Sequence, residues 1–329
     1  MEDCMLPRNP FLIIVIVLMF TFFVRNGNAA SLPGYADTKP GTYKHKIDLR
    51  VNGFRRSYLV HIPKNYDQTK PTPLVVALHG SFDTAKKMAR RTEFSELADR
   101  EGFIVLYPNG ITLFGWLQHW NARYCCGKAM KDGIDDLGFV AGLIEQAQAH
   151  LNIDPKRIYL VGYSNGGMLA YLFAAEKPEI LAAVAILSST IGIKSSQPER
   201  QIVEPKIPVP MIIFHGREDE AIPYEGGQQI GKTGEKGQDY TSVAESALFW
   251  VKSNGCSKPV KVERLLQNRV LKETWSECED GSETILFTIE GWNHDLPTRR
   301  FTEKLPDANP LKGFHATDII WEFFMRHPR

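Results

Sequence analysis

Ser164 stands in the run Gly162, Tyr163, Ser164, Asn165, Gly166, Gly167. An apolar β-branched stretch precedes it at 157–161 and a helical pattern follows from 165, so the serine falls on a sharp strand-to-helix turn. Glycines two residues to either side relieve the crowding of backbone at such a turn. The helix amino terminus behind the serine favours developing negative charge. The chemistry this supports is acyl transfer through a serine oxygen.

An alcohol is a weak nucleophile near neutrality, so Ser164 needs a base, and the base needs an orienting carboxylate, in the chain order serine, acid, histidine. After the apolar run 210–214 come His215, Gly216, Arg217, Glu218, Asp219 and Glu220. Asp219 is the leading acid there, with Glu218 and Glu220 as alternatives. His294 follows the apolar run 284–289, inside Gly291, Trp292, Asn293, His294, Asp295, and is the expected base. His315 opens the last helical stretch and His327 closes the chain, which suits helix-terminal or solvent-facing roles. Asp295 is adjacent to His294, and neighbouring side chains rarely align as base and orienter. Two backbone N–H groups are expected to face the oxyanion: that of Asn165, and that of Ser81 or Gly80 after the strand 74–78.

These residues lie at the ends of short apolar runs, at 74–78, 103–107, 157–161, 181–187, 210–214 and 284–289, which read as strands buried on both faces. Helical patterns alternate with them at 85–101, 134–151, 165–176, 241–254 and 315–325. The alternation predicts an α/β fold with a mostly parallel central sheet and helices on both faces. Before it, alternating segments at 43–51 and 55–62 around Asn52-Gly53 predict an antiparallel hairpin. Ligands of such sheets bind beyond the carboxyl ends of the strands, where Ser164, Asp219 and His294 are found.

The apolar run 11–24, followed by Gly27, Ala29 and Ala30, has the form of a secretory signal over residues 1–30, leaving one catalytic domain over 31–329. The run is short for a membrane span; a retained anchor is the alternative. With 39 Lys plus Arg against 38 Asp plus Glu, no basic stripe invites nucleic acid. No stable membrane association is expected once the signal is removed, and no cofactor or metal is implied.

Beyond the leader there are four cysteines, Cys125, Cys126, Cys256 and Cys278, which in an oxidising compartment allow three pairings. Cys256 with Cys278 is favoured because the two flank a two-stranded excursion at 258–276. For Cys125 and Cys126 a vicinal bridge, two buried thiols or an outside partner stay open.

Together, His79-Gly80-Ser81, Cys126-Gly127, Ile134 to Phe139, Gly162 to Gly167 and His215 to Tyr224 resemble the secreted polyhydroxybutyrate depolymerase and feruloyl esterase group, relatives of carbohydrate esterase family one. The resemblance spans about 43–324 and implies an α/β-hydrolase fold and a serine ester hydrolase. At the matching positions it implies Ser164 as nucleophile, Asp219 as acid and His294 as base, and it fits a Cys256–Cys278 bridge. The family often carries cysteine where this chain has Ser81, and a different surround of the histidine. Asp135 and Asp136 precede a helix and are expected to cap it.

Substrate clues are the aromatic residues of the loop 111–131, including Trp116 and Trp120, and Trp292 beside the base. They could stack on an aromatic acyl group or a sugar, or simply pack their loops down. Depolymerases of solid polyester commonly append a binding domain, so a soluble or oligomeric ester is the expected substrate. A thioesterase, a peptidase or an acetylxylan-type esterase could use the same triad. A secreted binding protein that kept the fold without catalysis is the reading from another class.

Overall fold

A computed structural model describes residues 39–51, 54–112, 117–192, 202–230 and 236–329. The expected leader, the Asn52-Gly53 turn and Trp116 lie outside these residues. In chain order, β1 (Gly41–Val51), β2 (Phe54–Ile62) and β3 (Thr72–Leu78) lead into α1 (Ala85–Thr92), α2 (Phe94–Glu101) and β4 (Ile104–Pro108). A short ribbon of β5 (Ile111–Thr112) and β6 (Gln118–His119) precedes α3 (Gly127–Lys131), α4 (Asp136–His150), β7 (Ile153–Tyr163) and α5 (Asn165–Glu176). Then come β8 (Ala183–Leu187), β9 (Met211–Gly216), the ribbon β10 (Gly227–Ile230) with β11 (Lys236–Tyr240), and α6 (Val243–Ser253). The chain finishes with β12 (Lys261–Leu265), β13 (Val270–Trp275), β14 (Thr284–Ile289), α7 (Arg299–Thr302) and α8 (Ala316–Arg326).

Among the described residues, ten strands form one sheet in the order β1-β2-β4-β3-β7-β8-β9-β14-β13-β12. Its centre, from β4 to β14, is parallel, and antiparallel pairs close both ends. Alternation along the central strands explains why both faces are covered. Leu74, Val76, Leu78, Leu160, Val184 and Ile213 join one core with α4, α5 and α6. Val75, Ala77, Val161, Ala185, Ile212 and Phe214 join the other with α1, α2 and α8. Each such Val, Leu, Ile or Phe side chain contributes roughly 1.5–3 kcal/mol by leaving water.

Parallel register brings the strand ends to one edge. Leu78 pairs with Gly162, Tyr163 with Leu187, Leu187 with Phe214, and Gly216 with Ile289. The residues that follow Leu78, Tyr163, Gly216 and Ile289 therefore converge.

The sequence predicts one helix over 85–101, whereas the structure has two. Glu93 breaks it in the left-handed region, at φ 55° and ψ 26°. Thr92 turns its Oγ1 back to the Met88 carbonyl at 2.8 Å, a local bond that competes with continuing the helix. The junction also holds the chain after His294: Thr298 Oγ1 donates to the Arg91 carbonyl at 2.7 Å, and the Arg300 N–H to Glu93 Oε2 at 3.0 Å. The excursion expected at 258–276 is the hairpin β12–β13, and Cys256 is bonded to Cys278 beneath it.

Candidate active site

Ser164 is the pivot between β7 and α5. Its φ of 52° and ψ of −122° lie outside the regions open to most residues. The turn fits only because its flanks are glycine. A methyl group on Gly162 would come within 2.3 Å of the Gly166 carbonyl oxygen, and one on Gly166 within 2.4 Å of that of His79. The Ser164 N–H is held by the Leu187 carbonyl at 2.9 Å.

Ser164 Oγ lies 3.0 Å from Nε2 of His294, whose Nδ1 lies 2.7 Å from Oδ2 of Asp219. Asp219 is buried in the turn after β9. Its Oδ1 accepts the N–H groups of Ala221 and Ile222, at 2.9 and 2.8 Å. His215, the last but one residue of β9, brings Nε2 to 3.3 Å from the same Oδ2 that His294 uses, while bonding the Ile222 carbonyl at 2.9 Å. Burial opposes ionisation of Asp219, but the hydrogen bonds from His215 and His294 outweigh it and hold the carboxyl well below the usual carboxylate range. An ionised Asp219 fixes His294 with Nδ1 protonated and Nε2 free to accept from Ser164. Of the acids in that turn, Asp219 is the one brought to His294; Glu218 and Glu220 are exposed.

Two residues that sequence reasoning passed over position this chain. Tyr163 donates its hydroxyl to the His294 carbonyl at 3.0 Å and packs its ring 5.3 Å from the imidazole. His79 is fully buried after β3. The Gly110 N–H donates to its Nε2 at 3.0 Å, so Nδ1 must carry the proton and donate to the Gly80 carbonyl at 2.7 Å. In a trans peptide the Ser81 N–H points opposite that carbonyl. No acceptor meets the Ser81 N–H among the described residues. A Cβ on Gly80 would lie 3.1 Å from the Cβ of Ser164, which places this peptide beside the serine. Burial lowers the pKa of His79 to about 4, so the ring stays neutral. The second expected donor, Asn165, begins α5, where its N–H has no intrahelical acceptor. Its side chain is tied in both directions to the Trp120 backbone, at 2.7 and 3.2 Å.

Trp120 requires a correction. It is fully buried, its indole N–H donates to the His79 carbonyl at 2.8 Å, and its ring packs 4.8 Å from that of His79. It braces the loop from behind and cannot touch a substrate. Asp136 is corrected as well. Asp135 caps α4 through the Gly138 N–H at 2.7 Å, whereas Asp136 forms a buried pair with Arg56 at 2.6 Å and takes the Asn121 N–H at 2.7 Å, pinning the chain beside Trp120.

A cavity of about 670 Å³ opens over Ser164. Ser81, Phe82, His119, Met130, Met168 and Tyr240 are among its walls. Phe82 is exposed and sets its ring against His119 at 4.7 Å; its position after His79-Gly80-Ser81 was the signal that could have found it. Cys125 and Cys126, left open by the sequence, are bonded to each other and line the same cavity. Trp292 donates its indole N–H to the Asp295 carbonyl and lines a second cavity of about 760 Å³ on the other side of His294. His315 and His327 pair with Glu303 and the Phe323 carbonyl, away from the serine.

A parallel sheet covered on both faces, with a serine at the elbow after β7 and an acid and a histidine after β9 and β14, defines the α/β-hydrolase class. The chain is similar to esterases with that fold. The family model described as esterase PHB depolymerase matches residues 56–197. Feruloyl esterase B of Piromyces equi is 27% identical over 73% of this chain, which spans 42% of that protein's length. Feruloyl esterase C of Emericella nidulans is 26% identical over 84% of this chain and 85% of its own. The acetyl xylan esterase of Aspergillus awamori has the same fold, with a TM-score of 0.59 at 15% identity over 87% of this chain and 99% of its own.

Proposed function

We propose that this protein is a serine carboxylic ester hydrolase working through an acyl-enzyme on Ser164, with His294 as base, Asp219 as orienting acid, and the Ser81 and Asn165 N–H groups as oxyanion donors. The observation that carries this reading is the unbroken hydrogen-bond chain from Asp219 through His294 to Ser164, at the mouth of a cavity. Ser164 Oγ attacks the ester carbonyl as its proton passes to Nε2 of His294, and the carbonyl oxygen collects negative charge facing the two amides. His294 then gives that proton to the departing alkoxide. A water molecule enters by the same route in reverse and releases the acid.

The names of the relatives support esters of the feruloyl or hydroxyalkanoyl type, in soluble or oligomeric form. The apolar run 11–24 and the Cys256–Cys278 bond favour export, which N-terminal sequencing of the mature protein tests. A fluorophosphonate probe should label wild type and not Ser164→Ala. Rates for acetyl, butyryl, hydroxybutyryl and feruloyl esters, with the matching thioester and amide, should show ester cleavage and rank the acyl groups. Folded wild type that takes no label and cleaves no ester overturns the reading.

A further inference from the structure

The helix α1 reads AKKMARRT, with four basic residues in eight and no acid. Lys87 and Arg91, one turn apart on the same face, both line the cavity over Ser164. Like charges at this spacing weaken a helix, so the pairing is not there for the sake of α1. One carboxylate, Asp83, sits between them, 3.4 Å from Arg91 Nε and 3.9 Å from Lys87 Nζ. It leaves one positive charge of this cluster uncompensated on the cavity wall. Asp295 approaches Arg91 Nη1 only to 4.0 Å, from the side of the second cavity.

The guanidinium is ion-paired only loosely, at 3.4 and 4.0 Å. Among the described residues its side chain makes no hydrogen bond and Oδ2 of Asp83 accepts none, and it lines both the cavity over Ser164 and the second cavity. It lies over the ring of Tyr163, 5.7 Å from the centroid, and that ring packs on His294. An anion held by Arg91 would therefore lie one aromatic ring from the reacting base. The second cavity is unsuited to an anion, since Glu218, Glu220 and Asp295 line it with Arg91.

We propose that Arg91, aided by Lys87, binds a carboxylate carried by the ester substrate in the cavity over Ser164, so that the protein favours esters with a free acid group on the acyl or alcohol part. This rests on the esterase reading above and names its substrate class. The planar fork of Arg91 suits two-point binding of a carboxylate, and Lys87 adds a point charge.

The test compares kcat/KM within two matched pairs. On the acyl side they are the mono-4-nitrophenyl ester of glutaric acid and 4-nitrophenyl butyrate; on the alcohol side, 3-(butyryloxy)butanoic acid and its methyl ester. One pair should favour the charged ester by about tenfold or more in wild type. That preference should fall about tenfold in Arg91→Met, chiefly through KM, shrink in Lys87→Met and in 0.5 M salt, and partly return in Arg91→Lys, on the scale of one charge-assisted contact. The side of the preferred pair identifies where the carboxylate is carried. No preference in either pair, or one that survives both methionine variants, overturns the proposal while leaving ester hydrolysis intact. Binding of glutarate by calorimetry reads the same site without turnover: weaker binding to Arg91→Met supports the proposal and equal binding overturns it, even if the esterase reading fails by absent fluorophosphonate labelling.

Discussion

His215 and His294 address the same oxygen of Asp219, at 3.3 and 2.7 Å, while two backbone N–H groups hold the other. The carboxylate is thus fixed on both oxygens, and a histidine with no reach to Ser164 helps keep it ionised.

His215→Phe removes one of those donors. The carboxyl of Asp219 should then ionise at higher pH, so the variant should gain less stability than wild type as the pH rises through the acid range, giving a flatter acid side to its pH profile of stability. Stability should fall by about 1–3 kcal/mol, the cost of a lost hydrogen bond to a buried charged group. A lower melting temperature with an unmoved pH profile would assign His215 to packing alone.

His79→Phe keeps a ring against Trp120 but frees the Gly80–Ser81 peptide to rotate. The oxyanion donor proposed at Ser81 is then lost or misaligned, and kcat should drop roughly 10²-fold or more with KM little changed. Steady-state kinetics on one neutral ester decides this, and a rise in KM at constant kcat would count against it.

His79 also sets a pH dependence of stability. In the unfolded chain the imidazole takes up a proton near 6.5; in the fold, burial delays this to about 4. Between those values the unfolded state binds more protons, so stability is full above about pH 6.5 and falls as the pH drops toward 4. The loss is on the order of 3 kcal/mol. Urea unfolding of wild type and His79→Phe at pH 7 and 4.5 should show the variant losing less.

The buried pair of Arg56 and Asp136 has exposures of 1% and 0%, and Nε and Nη1 of Arg56 have no hydrogen-bond partner among the described residues. Arg56→Met alone should cost about 3–5 kcal/mol by stranding Asp136, while Arg56→Met with Asp136→Leu should recover much of it. Chemical denaturation of the double-mutant cycle checks the sign of the coupling.

The convergence of Ser164, Asp219 and His294 was legible because parallel strands deliver their following residues to one edge, so chain order and strand ends were enough to bring these three together. The hairpin β12–β13 was legible from its flanking cysteines. Trp120 misled because an aromatic residue in a loop reads the same whether it faces a ligand or the core, and only its bond to the His79 carbonyl settles which. Asp136 misled because a partner 80 residues away, Arg56, overrides the local preference for a cap. His79 and His215 look like turn residues until their tautomers and distances are known. The break at Glu93 coincides with a jump of the buried stripe, from Ala85, Met88 and Thr92 in α1 to Phe94, Leu97 and Ala98 in α2, which reading 85–101 as one helix overlooks.

That break bears on heat. The chain carrying His294 hangs from the α1–α2 junction by Thr298 on Arg91 and Arg300 on Glu93, and the junction is a single left-handed residue rather than a continuous helix. Local opening there costs less than global unfolding. The chain after His294 would then come loose while the sheet stays whole, leaving Tyr163 and Asp219 alone to hold His294, so activity should begin to fall, reversibly, at a temperature where spectroscopy still sees a folded protein.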